Sequence, residues 1–173
     1  MKSRLLLPLA CLLAILPTLA GGRSNLAVDW SEWEKGRSDV RQGVFRVGDP
    51  ACAYTTMADP FVMGKVVPHL EGVTVHTNDG SFQDVTLSER FWPVGLVESR
   101  YHRNVDGSGR LEWKLVEGRQ AKHDGHWQVH ADGRVVFQNE LQAKNIIHRA
   151  LLRRIQVHAM EGVASSVQEH CGS

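Results

Sequence analysis

The chain has 173 residues, with 20 lysines and arginines against 19 aspartates and glutamates, which gives a formal net charge of +1. This near-neutral balance, without a block of basic residues, argues against nucleic acid as a partner. The length suits one globular domain with a buried core.

Residues 1–20 have the three-part pattern of a secretory signal peptide. Lys2 and Arg4 form a short positive start, residues 5–19 are an apolar run, and Ala20 completes a small-x-small cleavage signal. The run contains two prolines and is shorter than the roughly 20 apolar residues of a membrane-spanning helix. We therefore predict cleavage after Ala20 and a periplasmic or secreted protein.

Cleavage would leave two regions. Residues 21–36 are predicted to be a polar lead-in segment with a turn or short helix, and residues 37–173 are predicted to form one domain. Loss of Lys2 and Arg4 lowers the basic count from 20 to 18 against 19 acids, which is a net charge of −1. No second apolar stretch is long enough to span a membrane.

The three cysteines carry separate implications. Cys11 lies inside the apolar run and leaves a lipoprotein as an alternative. Cys52 and Cys171 remain after cleavage, and an even number of cysteines in an oxidising compartment permits one disulfide. Two separate thiols are also compatible with the spacing, because pairing depends on the fold.

The domain is predicted to begin with a strand over residues 39–47. Asp49-Pro50 then provides a capping residue and a first-turn proline, which predicts a helix over residues 50–58. Asp59-Pro60 ends this helix, and a second short helix is predicted over residues 61–67.

A period of two begins at Gly72 and indicates antiparallel strands joined by short turns, of which Asn78-Asp79-Gly80 has the strongest hairpin signal. Alternate positions in these strands are hydrophobic, so that one face is predicted to be buried. Six strands are predicted, over residues 73–77, 82–92, 94–104, 111–116, 126–131 and 134–143.

The last segment, residues 145–170, returns to a helical period and has Asn145 as a predicted N-cap. A helix of this length is about 39 Å long. The order of elements predicts an α+β fold, in which a curved antiparallel sheet of about seven strands wraps one long C-terminal helix, with two short helices between strands 1 and 2. The space between sheet and helix is the predicted ligand site.

Eleven residues on the predicted inner surfaces are candidates for the wall of this cavity. Most are aromatic or aliphatic. Asn139 is polar but shares a strand face with Val135, Phe137 and Leu141, so it needs a hydrogen-bond partner from protein, water or ligand. The candidates are Val85, Leu87, Phe91, Tyr101, Trp113, Trp127, Phe137, Asn139, Leu151, Ile155 and His158.

No catalytic residue, metal ligand or cofactor is predicted. The chain has no Gly-x-Ser-x-Gly elbow. His123 and His126 are the closest histidine pair, but they lack a third ligand nearby and are interpreted as exposed strand and turn residues. Strand alternation assigns the carboxylates of Asp84, Glu98 and Glu140 to solvated faces.

The order of elements and several local patterns resemble the START-like (SRPBCC) superfamily of helix-grip proteins, which includes polyketide cyclases and coenzyme-Q-binding proteins. Residues 49–60 resemble the first short helix of its bacterial members and the proline after it. Further matches are Leu-Glu-Trp-Lys-Leu-Val-Glu-Gly over residues 111–118, Gly-His-Trp over residues 125–127, Val-Val-Phe over residues 135–137 and the helix through Leu151-Leu152. The resemblance implies the helix-grip fold, with a cavity between sheet and helix.

The resemblance also bears on the cysteines. In helix-grip proteins the two short helices form a cradle under the C-terminal part of the long helix. Cys52 would lie on the first short helix and Cys171 just past the end of the long one. The resemblance therefore implies a Cys52–Cys171 disulfide that closes a loop of more than a hundred residues.

The functional hypothesis is an exported binding module, predicted to be a monomer, that holds a hydrophobic small molecule or lipid between sheet and helix. An alternative is a cyclase- or dehydratase-type enzyme in which Asn139, Tyr101, His158 or a carboxylate acts as acid or base. A third interpretation is an envelope interaction protein with a filled core. The volume and polarity of the space under the long helix distinguish these hypotheses.

Overall fold

A computed structural model of the chain describes residues 28–91, 94–144 and 149–172. The predicted signal peptide and the predicted N-cap Asn145 lie outside the described residues. Within them there are nine strands and three helices, namely β1 (Asp29–Trp30), β2 (Glu34–Lys35), β3 (Asp39–Arg46), α1 (Pro50–Ala58), α2 (Pro60–Val66), β4 (Leu70–Asn78), β5 (Phe82–Phe91), β6 (Gly95–Val105), β7 (Arg110–Glu117), β8 (Lys122–Val129), β9 (Arg134–Gln142) and α3 (Arg149–Cys171).

The two short helices begin where the capping pattern predicts. The Asp49 carboxylate accepts a hydrogen bond from the backbone N–H of Cys52 at 3.0 Å, and Pro50 occupies the first turn of α1. Asp59 ends α1 and also caps α2, because its carboxylate accepts from the N–H groups of Phe61 at 2.8 Å and Val62 at 3.2 Å. Both helices are therefore determined by local chemistry.

All strands join one antiparallel sheet in the order β1-β3-β9-β8-β7-β6-β5-β4, with β2 also paired to β3. The sheet is curved and unclosed, and α1 and α2 connect the first two of its seven long strands. The predicted α+β class and element order are thus confirmed.

The predicted lead-in segment is wrong in one respect. Residues 29–35 contain no helix, and they extend the sheet, since Asp29 pairs with Val44 and Glu34 pairs with Val40 on β3. Strands of two residues are too short to show an alternation in sequence. Trp30 holds this segment in place, because its ring lies edge-on against Phe137 with the ring centroids 5.1 Å apart.

The core lies between α1, α2, the C-terminal half of α3 and the β3–β9–β8 part of the sheet. Phe45 packs edge-on against Trp127, which stacks on Phe137 at a centroid distance of 5.0 Å. The helical contribution includes Val163 and Val167 of α3, which are buried and lie one turn apart. Among the described residues, no helix is long and apolar enough to cross a membrane.

A disulfide joins Cys52 of α1 to Cys171 at the end of α3, as the resemblance implied. Two backbone hydrogen bonds lie beside the disulfide. The N–H of Gly48 donates to the carbonyl oxygen of Gly172 at 2.8 Å, and the N–H of Asp49 donates to the carbonyl oxygen of Cys171 at 3.0 Å. The start of the first helix is therefore attached to the end of the last one.

Candidate functional site

A cavity of about 480 Å³ lies between the sheet and α3. The inner faces of β5 to β8 form one wall, and the side of α3 that carries residues 151–163 forms the other. Apolar side chains dominate the lining, and they are Met57, Met63, Leu87, Phe91, Val94, Val97, Leu111, Trp113, Trp127, Ala143, Leu151, Leu152, Ile155, Ala159, Met160 and Val163.

One end of the cavity is buried and the other is open at the surface. The buried end is formed by Met57 of α1, Met63 of α2 and Val163 of α3, which all belong to the buried core. The other end is lined by Arg119, Lys144 and Leu151, whose side chains are exposed. A ligand would enter between the start of α3 and the turn from β7 to β8.

Seven of the eleven predicted wall residues line this cavity. They share inward positions on alternate residues of the strands or on one face of α3. These residues are Leu87, Phe91, Tyr101, Trp113, Trp127, Leu151 and Ile155.

The structure places the other four predicted residues elsewhere. Val85, Phe137 and Asn139 face inward but are at most 1% exposed, because core side chains cover them completely. His158 is exposed. Successive helical residues are about 100° apart, so His158 points away from the cavity that its neighbour Ala159 lines.

Tyr101 and His123 form a hydrogen-bonded pair on the cavity wall. The Tyr101 hydroxyl lies 2.8 Å from Nδ1 of His123, and both residues are part of the lining. Burial raises the pKa of Tyr101 well above its ordinary value and lowers the pKa of His123. The two groups are therefore neutral at pH 7, with the hydroxyl donating to an unprotonated ring nitrogen.

The other side of His123 faces a second polar group. Nε2 of His123 and Oδ1 of Asn139 are both buried, and neither has a hydrogen-bond partner among the described residues. His123 pairs across the strands with Leu141, two residues from Asn139, so the two side chains are diagonal neighbours on one face. A small rotation of either side chain can bring the Nε2–H of His123 within hydrogen-bond distance of Oδ1 of Asn139.

Two further polar groups lie on the wall, one on β5 and one just before β4. Nε2 of His69 is 3.4 Å from Oε1 of Glu89, and both side chains line the cavity. The His69 ring also packs against Phe91, with the ring centroids 5.2 Å apart. The carboxylate of Glu89 therefore has a neighbouring imidazole as its partner.

Arg103 lies on the wall near the buried end and is only 3% exposed. Its Nη2 donates a hydrogen bond to the backbone oxygen of Met57, in the last turn of α1. The neighbouring Gln83 donates to the oxygen of Ala58 at 3.0 Å, so these two side chains satisfy the end of α1. Burial lowers the pKa of Arg103 to about 10, which leaves it protonated at pH 7.

Four of these polar wall residues are not among the eleven predicted from the sequence, namely His69, Glu89, Arg103 and His123. The interpretation of His123 as an exposed histidine is wrong. Strand alternation contained the signal, because His123 is four residues before the inward Trp127 and Arg103 is two residues after the inward Tyr101. A charged or titratable side chain is usually exposed, so a sequence pattern assigns it to the outer face even at an inward position.

Potential metal ligands cluster at one place in the described part of the chain, where side-chain atoms of Cys52, Cys171 and His170 lie within 4.8 Å of one another. The two sulfur atoms are bonded to each other, and metal binding by cysteine requires a thiolate. This cluster is therefore part of the disulfide and not a metal site.

No protein-family model and no curated protein matches the chain. Solved structures do match. The Zhui aromatase/cyclase from Streptomyces sp. R1128 aligns over 78% of this chain and 93% of its own, with a TM-score of 0.71 and 14% identity. A START superfamily protein from Mycobacterium smegmatis aligns over 76% and 96%, with a TM-score of 0.64 and 11% identity.

A STAR-related lipid transfer protein from Xanthomonas axonopodis aligns over 82% of this chain and 98% of its own, with a TM-score of 0.54 and 14% identity. Similarities at this level of identity show a shared fold. They assign neither a substrate nor a role to individual residues.

Proposed function

We propose that this chain, which has the helix-grip fold of the START-like (SRPBCC) proteins, holds a hydrophobic small molecule or lipid in the cavity between its sheet and α3, and does so in the cell envelope. The observation that carries the proposal is the cavity of about 480 Å³ with its mainly apolar wall. Small-molecule sites have volumes of about 300–1,000 Å³ and a similar lining. Each Å² of apolar ligand surface removed from water contributes about 25 cal/mol to binding.

The compared proteins support this proposal without assigning it. One is described as a lipid transfer protein and another as an aromatase/cyclase. A lipid is the kind of molecule that a mainly apolar cavity suits.

The location in the envelope rests on two features. Residues 1–20 have the pattern of a signal peptide, and the Cys52–Cys171 disulfide is typical of oxidising compartments. We expect the protein purified from the periplasm or culture medium to begin at Gly21, within two residues. N-terminal sequencing checks this expectation, and a chain that retains Met1 would contradict it.

Native mass spectrometry of the purified protein, followed by organic extraction, tests ligand binding. We expect a mass excess that disappears on extraction. Ala159→Phe should remove it, because Ala159 lines the cavity and a phenyl group would occupy the space. Ala150→Phe is the matched control, since Ala150 is an exposed residue of the same helix. If neither the native protein nor the delipidated protein mixed with lipids binds any hydrophobic molecule, the proposal is wrong.

A second candidate function is a cyclase- or dehydratase-type reaction in the same cavity. The Tyr101–His123 pair favours it, because two polar groups with shifted pKa values meet on the wall at 2.8 Å. In a dehydration, one group removes a proton from carbon while the other donates a proton to the departing hydroxyl.

A model β-hydroxy ketone tests this second function, because water loss produces a conjugated product with a new absorbance. Tyr101→Phe and His123→Asn should abolish turnover while binding of a fluorescent hydrophobic probe persists. Absence of turnover above the buffer rate in the wild-type protein would favour the binding module. The cavity does not agree with the filled core that the third interpretation, an envelope interaction protein, assumes.

A further inference from the structure

Arg103 is a buried cation on the wall of a mainly apolar cavity. It lies on the inner face of β6, two residues beyond Tyr101, and reaches the buried end of the cavity beside Met57 and Leu111. Its side chain is 3% exposed. A guanidinium group in such a place loses most of its hydration, and a folded protein normally compensates this loss with a carboxylate.

No such carboxylate is present in the part of the chain that the structure describes. In the ranges 28–91, 94–144 and 149–172, no acidic side chain forms an ion pair with Arg103 within 4.0 Å. Asp59 attracts it over a longer distance, and Oδ1 of Asp59 accepts hydrogen bonds from the N–H groups at the start of α2. Of the guanidinium donors, Nη2 bonds to the oxygen of Met57, whereas Nη1 has no partner among the described residues.

The rest of the lining does not supply the missing negative charge. Arg103, Arg119 and Lys144 contribute three cations, and Glu89 is the single carboxylate of the described wall. Glu89 has His69 as its partner, with Nε2 of His69 at 3.4 Å from Oε1 of Glu89. The wall therefore has an excess of positive charge, and its most deeply buried cation lacks a counterion.

The shape of the cavity suits an elongated molecule. The lining residues of α3 run from Leu151 at the open end to Val163 at the buried end, and the twelve residue steps between them correspond to about 18 Å along the helix. A ligand that lies along α3 can place one end beside Arg103 and the other beside Leu151, which is 44% exposed.

We infer that the ligand is an acidic amphiphile, with a single elongated apolar body and a terminal carboxylate that binds Arg103 at the buried end of the cavity. A guanidinium group matches a carboxylate in geometry and charge, and the bound carboxylate supplies the counterion that the fold lacks. This inference rests on the proposed function, and it adds the chemical class and the orientation of the ligand.

The test compares a carboxylic acid with its uncharged ester on the delipidated full-length mature protein. The probes are 11-(dansylamino)undecanoic acid and its methyl ester, with binding followed by dansyl fluorescence. We expect the acid to bind wild-type protein at least tenfold more tightly than the ester. Arg103→Met should lower the affinity for the acid at least tenfold and leave that for the ester within twofold, because methionine retains the apolar stem.

Two control variants locate the acidic group. Arg119→Gln/Lys144→Gln removes the cations of the open end, and we expect it to keep the preference for the acid. Arg103→Lys retains a cation at the buried end and should keep part of the preference. Circular dichroism shows whether each variant is folded. If Arg103→Met does not fold, the affinities of wild-type protein for the acid and the ester still test whether the ligand is acidic.

The remaining outcomes distinguish failure of the inference from failure of the proposed function. Equal affinity of wild-type protein for acid and ester would overturn the inference and leave the proposed binding function intact. Loss of the preference in the Arg119/Lys144 variant, with its retention in Arg103→Met, would place the acid at the open end and also overturn it. If neither probe nor any extracted lipid bound, the proposed function itself would fail.

Discussion

Single residues determine how closely the sheet can pack around the cavity, and Gly125 of β8 shows this directly. A Cβ atom at this position would collide with the backbone oxygen of Gln138 and with the indole ring of Trp113. Trp113 lines the cavity, so its position against the sheet depends on the absence of a side chain at Gly125. The Gly-His-Trp pattern at residues 125–127 therefore has a packing reason.

Gly125→Ala should destabilise the protein by about 1–3 kcal/mol, because the clash involves backbone as well as a large ring. Urea unfolding followed by circular dichroism measures the free energy of unfolding. Gly72→Ala is the matched control, since a Cβ there meets Ser88 at an ordinary distance of 3.5 Å. Equal stability of the two variants would show that the sheet adapts around residue 125.

His123 should make the stability of the protein depend on pH near neutrality. Burial lowers its pKa in the folded state, so the unfolded chain, with an ordinary pKa of about 6.5, takes up a proton that the folded protein does not. The free energy of unfolding should therefore fall as pH is lowered from about 7 through 6.5 towards the folded-state pKa, by up to about 1.4 kcal/mol per pH unit.

Urea unfolding between pH 7.5 and pH 5 measures this slope, and His123→Asn should make it smaller. His126, whose pKa burial also lowers, contributes in both proteins, so the difference isolates His123. His158→Asn, at an exposed position of α3, controls for the loss of a histidine in general. An unchanged slope in His123→Asn would mean that His123 is hydrated in the folded protein.

At the scale of elements, an ion cluster attaches the start of α3 to the start of β3. Asp39 is 2% exposed and accepts hydrogen bonds from Arg149 and Arg153, with Nε to Oδ2 distances of 2.7 Å for each arginine. The guanidinium of Arg153 also lies 5.6 Å from the Trp33 ring, next to β2. One carboxylate thus connects the N-terminal edge of the sheet with the helix that covers the cavity.

Asp39→Asn should lower the free energy of unfolding by about 2–3 kcal/mol, because two guanidinium groups lose a buried charged acceptor. Glu71→Gln is the control, since its partner Arg90 is exposed on the sheet surface, where ion pairs contribute little. Chemical unfolding at pH 7 measures both. Similar losses in the two variants would contradict the special role of Asp39.

The same cluster predicts behaviour in acid. Hydrogen bonds from Arg149 and Arg153 hold the pKa of Asp39 well below its ordinary value of about 3.9. A carboxylate with a lowered folded-state pKa stabilises the protein above the unfolded-state pKa, and this contribution is lost as pH falls further. The wild-type and Asp39→Asn stability curves should therefore converge below about pH 4, as acid unfolding experiments can measure.

At the scale of the whole molecule, the disulfide connects the first helix to the last. Cys52 and Cys171 are 119 residues apart in sequence, so the bond restricts the unfolded chain strongly. The chain-entropy treatment gives about 3–5 kcal/mol for a loop of this length. The Cys52→Ser/Cys171→Ser variant should lose a stability of this order in guanidinium unfolding, and wild-type protein under reducing conditions should behave like the variant. Alkylation of two thiols in unreduced wild-type protein would contradict the bond.

The sequence by itself determined the short helices and the order of the seven long strands, because these signals are local, but it did not show β1 and β2. Asp49-Pro50 and Asp59-Pro60 place the two short helices through capping and ring geometry. Alternation indicates the seven long strands, although the strand predicted over residues 126–131 is β8, Lys122–Val129, in the structure. The helix-grip resemblance, confirmed by the shared fold, follows from this order. Seven of the residues predicted for the wall line the cavity, because inward positions follow from the period of the strands and of α3.

Only the tertiary structure decided how the inner surface divides into core and cavity. Phe137 and Tyr101 both face inward, yet Trp30, Phe45 and Trp127 surround Phe137, whereas Tyr101 borders open space. This division depends on where the curved sheet approaches α3 and where it separates from it. The same geometry places Arg103 and His123 on the wall, because burial of a charged or titratable group depends on the partners that distant elements provide.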